Sequence, residues 1–112
     1  MDIEEILKTE YSEKFDELRK KAMETSYYKY GSLKKNVCGK LTQTMPSLQK
    51  RVDLYNQTGN TELLVDIANM AMIEFMYPQH PQAHYEPMDS DKSPGLVGMS
   101  INEIKRFKGG NL

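Results

Sequence analysis

The sequence predicts an all-α protein, a small antiparallel bundle of three main helices with a Pro-rich irregular C-terminal segment. Three observations lead there. Residues 61–76 are apolar on nearly every side, as in a helix buried by its neighbours. Two earlier stretches repeat apolar residues at helical spacing. Four of the five prolines, Pro78, Pro81, Pro87 and Pro94, fall after the last of these stretches and forbid long regular structure there.

Taken in order, residues 2–8 read as a short acidic helix whose apolar side is Ile3, Ile6 and Leu7. The first long helix is expected from Ser12, a capping residue, to about Tyr28, with Phe15, Leu18, Ala22 and Met23 at helical spacing. Gly31 suits a left-handed cap at its C-terminal end. Residues 31–44 hold two glycines and scattered lysines and read as a loop with at most one irregular turn. A second helix is expected around Pro46, with Leu48, Val52 and Tyr55 on one face and a stop at Thr58-Gly59. Asn60 or Thr61 then caps the central helix, and so short a joint makes the two helices an antiparallel hairpin. Met88 to Gly95 is dense in turn formers, and a short helix is expected after Ser100, where Glu103 completes a capping box. The organisation is a helical core over residues 1–78 and a Pro/Gly-rich extension over 79–112 packed on the same domain.

Composition narrows the function classes. A chain of 112 residues leaves room for one modest core, and a net charge of −1 gives no general pull toward nucleic acid polymers or membranes. Eight methionines and seven tyrosines without tryptophan suggest an adaptable core with many amphipathic tips. The lone Cys38 excludes an internal disulfide and suits a reducing compartment. The acidic start lacks a signal-peptide pattern, and no apolar run is long enough to span a membrane. A cytoplasmic protein is expected.

Three polar residues interrupt the central helix: Glu62, Asp66 and Asn69. Turning about 100° per residue, a helix puts them on one stripe that Ile73 continues. A carboxylate inside a bundle is costly unless paired, hydrogen-bonded or metal-bound. Charge supplies candidate partners: between Lys29 and Arg51 there are six basic residues and no acidic one. Lys50 or Arg51, on the second helix, could neutralise Asp66, and a structural polar network is as good a reading as a ligand site. Tyr28, Lys29, Tyr30 and Lys34 form a second candidate, since aromatic faces stack on bases and lysines hold phosphate. Their bland reading is a packed helix end with solvated lysines. Asp89 and Ser90 sit in a turn able to fold over a ligand. His80 and His84, with Asp89 and Asp91, raise the thought of a metal, but Pro81 between the histidines favours ordinary loop polarity. Cys38 reads as a buried or incidental thiol.

The runs Phe15-Asp16-Glu17-Leu18-Arg19-Lys20, Tyr28-Lys29-Tyr30-Gly31, Thr58-Gly59-Asn60-Thr61-Glu62 and Asp66-Ile67-Ala68-Asn69 resemble small phage and prophage proteins of uncertain role. These in turn look like distant members of the all-α nucleoside triphosphate pyrophosphohydrolases, the MazG-like and dimeric dUTPase group. The resemblance covers roughly residues 12–78. It implies magnesium held by Glu-Glu-x-x-Glu on one helix and Glu-x-x-Asp on the next. Asp66 matches the last acid, and Glu62 stands four residues before it rather than three. Where the first motif belongs, this chain has Leu48-Gln49-Lys50-Arg51-Val52-Asp53, with Asp53 its one acid.

Three functions follow. The preferred one is a nucleotide-binding, counter-defence type of phage protein that sequesters a nucleotide or nucleotide-derived signal without cleaving it. The second is a divergent magnesium-dependent enzyme cutting nucleoside triphosphates to monophosphate and pyrophosphate. The third is an interaction module for a host protein. Self-association as a dimer or higher homo-oligomer is expected, because a core this small leaves an apolar helix under-covered.

Overall fold

Short polar side chains set where the helices begin. In the computed structural model, which describes residues 2–88, Asp2 starts α1 (Ile3–Glu10) by accepting the Glu5 amide on Oδ1 at 3.0 Å. Ser12 does the same for α2 (Glu13–Tyr30), its Oγ accepting from Phe15 N at 3.0 Å. Each cap satisfies an amide that the first helical turn leaves without a partner. α4 (Thr44–Thr58) and α5 (Glu62–Met76) complete the main bundle, and there is no strand among the described residues. At the head of α5 the capping oxygen belongs to Asn60, whose Oδ1 accepts from Glu62 N at 3.1 Å.

Two expectations about the chain between α2 and α4 need correction. Residues 33–38 are not loop but a short helix, α3 (Leu33–Cys38). Ser32 Oγ accepts the Lys35 amide at 3.4 Å, Asn36 Nδ2 donates to the Tyr30 carbonyl at 3.0 Å, and the turn buries Val37. Gly31 does not form a left-handed helical cap: its φ of 82° and ψ of −157° lie in a region open in practice to glycine alone. The left-handed cap is at Gly59, φ 70° and ψ 13°, which closes α4 and turns the chain into α5.

Helix α5 is the element on which the others meet, packing against both α4 and α2. Among the described residues the buried apolar side chains are Val37, Val65 and Ile73, joined by the polar Thr44 and Asn69. Thr44 is held at the open end of the hairpin by the chain that follows α5. Gln79 Oε1 accepts its amide at 3.1 Å, while Gln79 Nε2 donates to the Thr42 carbonyl at 2.8 Å.

The central helix is not covered on every side, as its composition suggests. Leu64, Phe75 and Met76 are exposed, because α2 and α4 cover one side of α5. Ile3, Ile6 and Leu7 of α1 are exposed too. No helix among the described residues is long and apolar enough to cross a membrane. By its internal contacts the chain divides into Met1–Pro81 and Gln82–Leu112. In the second unit His84 Nδ1 lies 2.9 Å from the Gln82 carbonyl oxygen, and its Nε2 lies 3.9 Å from Glu86. The turn with Asp89, Ser90 and Asp91, and the helix expected after Ser100, lie outside the described residues.

Candidate functional site

An open cleft of about 730 Å³ runs along the polar stripe of α5. Glu62, Asp66 and Asn69 line it together with Val65 and Ile73, so the spacing read from the sequence does bring the three polar residues to one surface. The facing wall is α2. Residues three, four, seven and eight positions apart on a helix share a face. Lys21, Ala22, Thr25, Ser26 and Lys29 have those spacings and all line the cleft. Leu18 and Tyr30 extend this wall at its two ends. Arg51, from α4, closes the third side.

The electrostatics turn on Arg51. Its Nε lies 3.7 Å from Asp66 Oδ2, with both side chains about a third exposed at 30% and 36%. Arg51 Nη1 donates to the Ser47 carbonyl at 3.1 Å and to Ser47 Oγ, one turn back on α4. The guanidinium is thus anchored on its own helix and directed at α5. Asp66 has the cation that its position demands, and that cation is Arg51 rather than Lys50.

Asn69 is 4% exposed. Its Nδ2 donates to the Arg19 carbonyl of α2 at 3.1 Å, which fixes the orientation of the amide, since a carbonyl can only accept. Asn69 Oδ1 is buried with no hydrogen-bond partner among the described residues, as is Arg19 Nε. Arg19 Nε does lie 3.5 Å from Asp16 Oδ1, one turn back.

Of the residues singled out in the sequence, the cleft collects Lys29, Tyr30, Arg51, Glu62, Asp66 and Asn69. Three stand outside its lining. Tyr28 is exposed with its ring edge-on to Tyr27, 5.9 Å between centroids, while Lys34 and Lys50 are exposed elsewhere on the chain. Asp89 and Ser90 lie outside the described residues. Sequence reasoning missed Lys21, Thr25 and Ser26. Their signal is the helical repeat itself, Lys21-Thr25-Lys29 at steps of four, which a polar helix face shows whether or not it borders a cleft.

The donor set does not fit the magnesium site that the resemblance implies. Magnesium wants clustered hard oxygens in an octahedron. Here the cleft offers Glu62 and Asp66, and Asp66 is already paired with a guanidinium. Asp53 accepts from Gln49 Nε2 at 3.1 Å and is not part of the lining. No group of three His, Cys, Asp or Glu among the described residues could hold a metal ion, the histidines included. Cys38 is exposed rather than buried, at the C-terminal end of α3.

A second open cavity of about 690 Å³ lies where the α3–α4 connection meets the chain after α5, lined by Val37, Cys38, Lys40, Tyr77 and Gln79 among others. The Gln79 amide in its lining is engaged with the Thr44 amide and the Thr42 carbonyl, so it reads as a seam of the fold. No family model, no curated protein and no solved structure matches this chain.

Proposed function

We propose that the α2–α4–α5 cleft binds a nucleotide or nucleotide-derived anion and holds it without hydrolysis. The observation that carries this reading is the convergence of Lys21 and Lys29 from α2 with Arg51 from α4 around one cleft. Its volume of about 730 Å³ lies within the range that takes small ligands. Three cations suit phosphates, and Arg51 keeps guanidinium N–H groups beyond those given to Ser47 and Asp66. Tyr30, exposed at the cleft's end, offers a ring face for a base. Glu62 and Asp66 accept from ribose hydroxyls or base amines. Binding is favoured over cleavage by the ligand set: one of its two carboxylates is neutralised by Arg51 instead of being free for a metal. Such a protein would act as a sink for a nucleotide signal, in keeping with the phage-type resemblance.

Thermal unfolding against a nucleotide panel, with and without magnesium, tests the reading. A bound nucleotide at one hundred times its Kd adds about 2.7 kcal/mol of stability. Stabilisation without magnesium and without pyrophosphate release is the expected result. Release of pyrophosphate replaces the binder with an enzyme, and no stabilisation by any nucleotide removes the proposal.

A further inference from the structure

The face of α5 opposite the cleft has no charged residue along its centre. Leu64, Ala68, Ala71 and Phe75 recur at alternating steps of four and three, the spacing of a helix seam that meets another helix, with Ile67 and Met72 beside them. The buried residues Val65, Asn69 and Ile73 occupy the other side of the helix. Phe75 is 75% exposed, and Leu64 and Ala71 are exposed with it. Glu74, at the margin, is engaged by the Gln79 amide at 2.9 Å.

This face is self-complementary. Positions 64 and 75, 68 and 71, and 67 and 72 are each symmetric about one point, midway between Asn69 and Met70. A two-fold axis through that point sets Leu64 against Phe75 of a second copy and Ala68 against its Ala71. The small residues fall at the crossing, where backbones come closest, and the large ones fill the ends. We infer that α5 pairs antiparallel with α5 of a second copy of this chain, making an isologous dimer.

Charge favours this arrangement. Antiparallel pairing opposes the two helix dipoles, whereas parallel pairing sets like ends together. No acidic residue meets its own copy across the face. A stable dimer hides about 800 Å² on each partner. Phe75 leaves on the order of 150 Å² open, and the exposed Met76 beside it and Met45 at the same end of the α4–α5 hairpin extend the apolar area.

The test uses the full chain. Sedimentation equilibrium is expected to give twice the 12.9 kDa chain mass. Phe75→Glu should raise the dimer Kd at least about thirtyfold, as loss of an interface anchor does. Because Phe75 is a surface residue in the single chain, the variant should keep its helical circular dichroism. Register is read by cysteine pairing in a Cys38→Ser background. A mixture of Leu64→Cys and Phe75→Cys chains should form the mixed disulfide, while neither alone should crosslink, since like positions then lie about 16 Å apart along the axis. A monomeric mass at every concentration overturns the inference. So does crosslinking of each variant to itself, which means a parallel seam, or a Phe75→Glu protein that dimerises as tightly as the parent.

Discussion

Replacing Arg51 by glutamine separates a structural ion pair from a ligand-binding cation. In the folded chain Arg51 Nε faces Asp66 Oδ2 at 3.7 Å, with both groups about a third open to water. A pair so placed is screened and contributes no more than about 1 kcal/mol. The bonds from Nη1 to the Ser47 carbonyl, at 3.1 Å, and to Ser47 Oγ, within one turn of a surface helix, together add about 1 kcal/mol. Arg51→Gln should therefore cost about 2 kcal/mol at most, a fall of roughly 1 M in urea midpoint for a domain of this size. The effect on a bound phosphate is expected to be larger in proportion. One charge-assisted hydrogen bond is worth about 1.5–3 kcal/mol, so nucleotide affinity should drop roughly ten- to hundredfold. Urea unfolding followed by circular dichroism gives the first number, and calorimetric titration with the most stabilising nucleotide gives the second. An unchanged nucleotide Kd alongside the modest loss of stability makes Arg51 purely structural and refutes its assignment to the site. A loss of 3–5 kcal/mol refutes the energetics instead, for that is the signature of a buried charge stripped of its partner.

Three further substitutions test the frame of the cleft. Ile73→Ala, in a core with few buried apolar side chains, should destabilise the chain by about 2–5 kcal/mol, measured by urea unfolding. Asn69→Asp removes the Nδ2 donor that meets the Arg19 carbonyl at 3.1 Å and sets two acceptors face to face, so thermal unfolding should show a loss of about 1–3 kcal/mol. A protein of parental stability would mean that this bond does not hold α2 on α5. Gln79→Ala deprives the Thr44 amide of its acceptor, and hydrogen exchange at that amide should accelerate well beyond exchange elsewhere in α4.

The sequence announces those elements that carry their own start and stop signals. Helices with a cap and a stop were legible: Ser12 before α2, Thr58-Gly59 after α4, and the apolar run of α5 all fall where those residues place them. α3 looks like loop in the sequence because its lysines and flanking glycines mask a Ser32 cap and the Leu33–Val37 pair, one turn apart, that folds it inward. In the site, the stripe Glu62-Asp66-Asn69 and the need for a cation from Lys50 or Arg51 could be inferred, because a carboxylate on an apolar helix demands an answer; the choice of Arg51 comes from the structure. The α2 wall could not, since a polar face on a charged helix looks the same whether it borders a cleft or open water. The open side of α5 has its own explanation. Apolar residues all round a helix say that it will be covered, not that its own chain does the covering.

The placement of Asn69 explains how so lightly packed a helix as α2 can form one wall of a specific site. α2 has no buried residue of its own, so apolar interdigitation specifies its position along α5 only weakly. A leucine at position 69 would add apolar contact but would leave α2 free to settle in more than one register. The asparagine amide has one place to donate, the Arg19 carbonyl, and a slip by one residue would leave a buried donor unpaired at a cost of about 1–3 kcal/mol. The same bond orders the cleft. Lys21, Thr25 and Lys29 follow Arg19 on rigid helical steps, so fixing Arg19 against Asn69 also fixes their positions opposite Asp66 and Glu62. An interior polar residue, unfavourable by burial alone, is in this reading the device that aligns the two halves of the site.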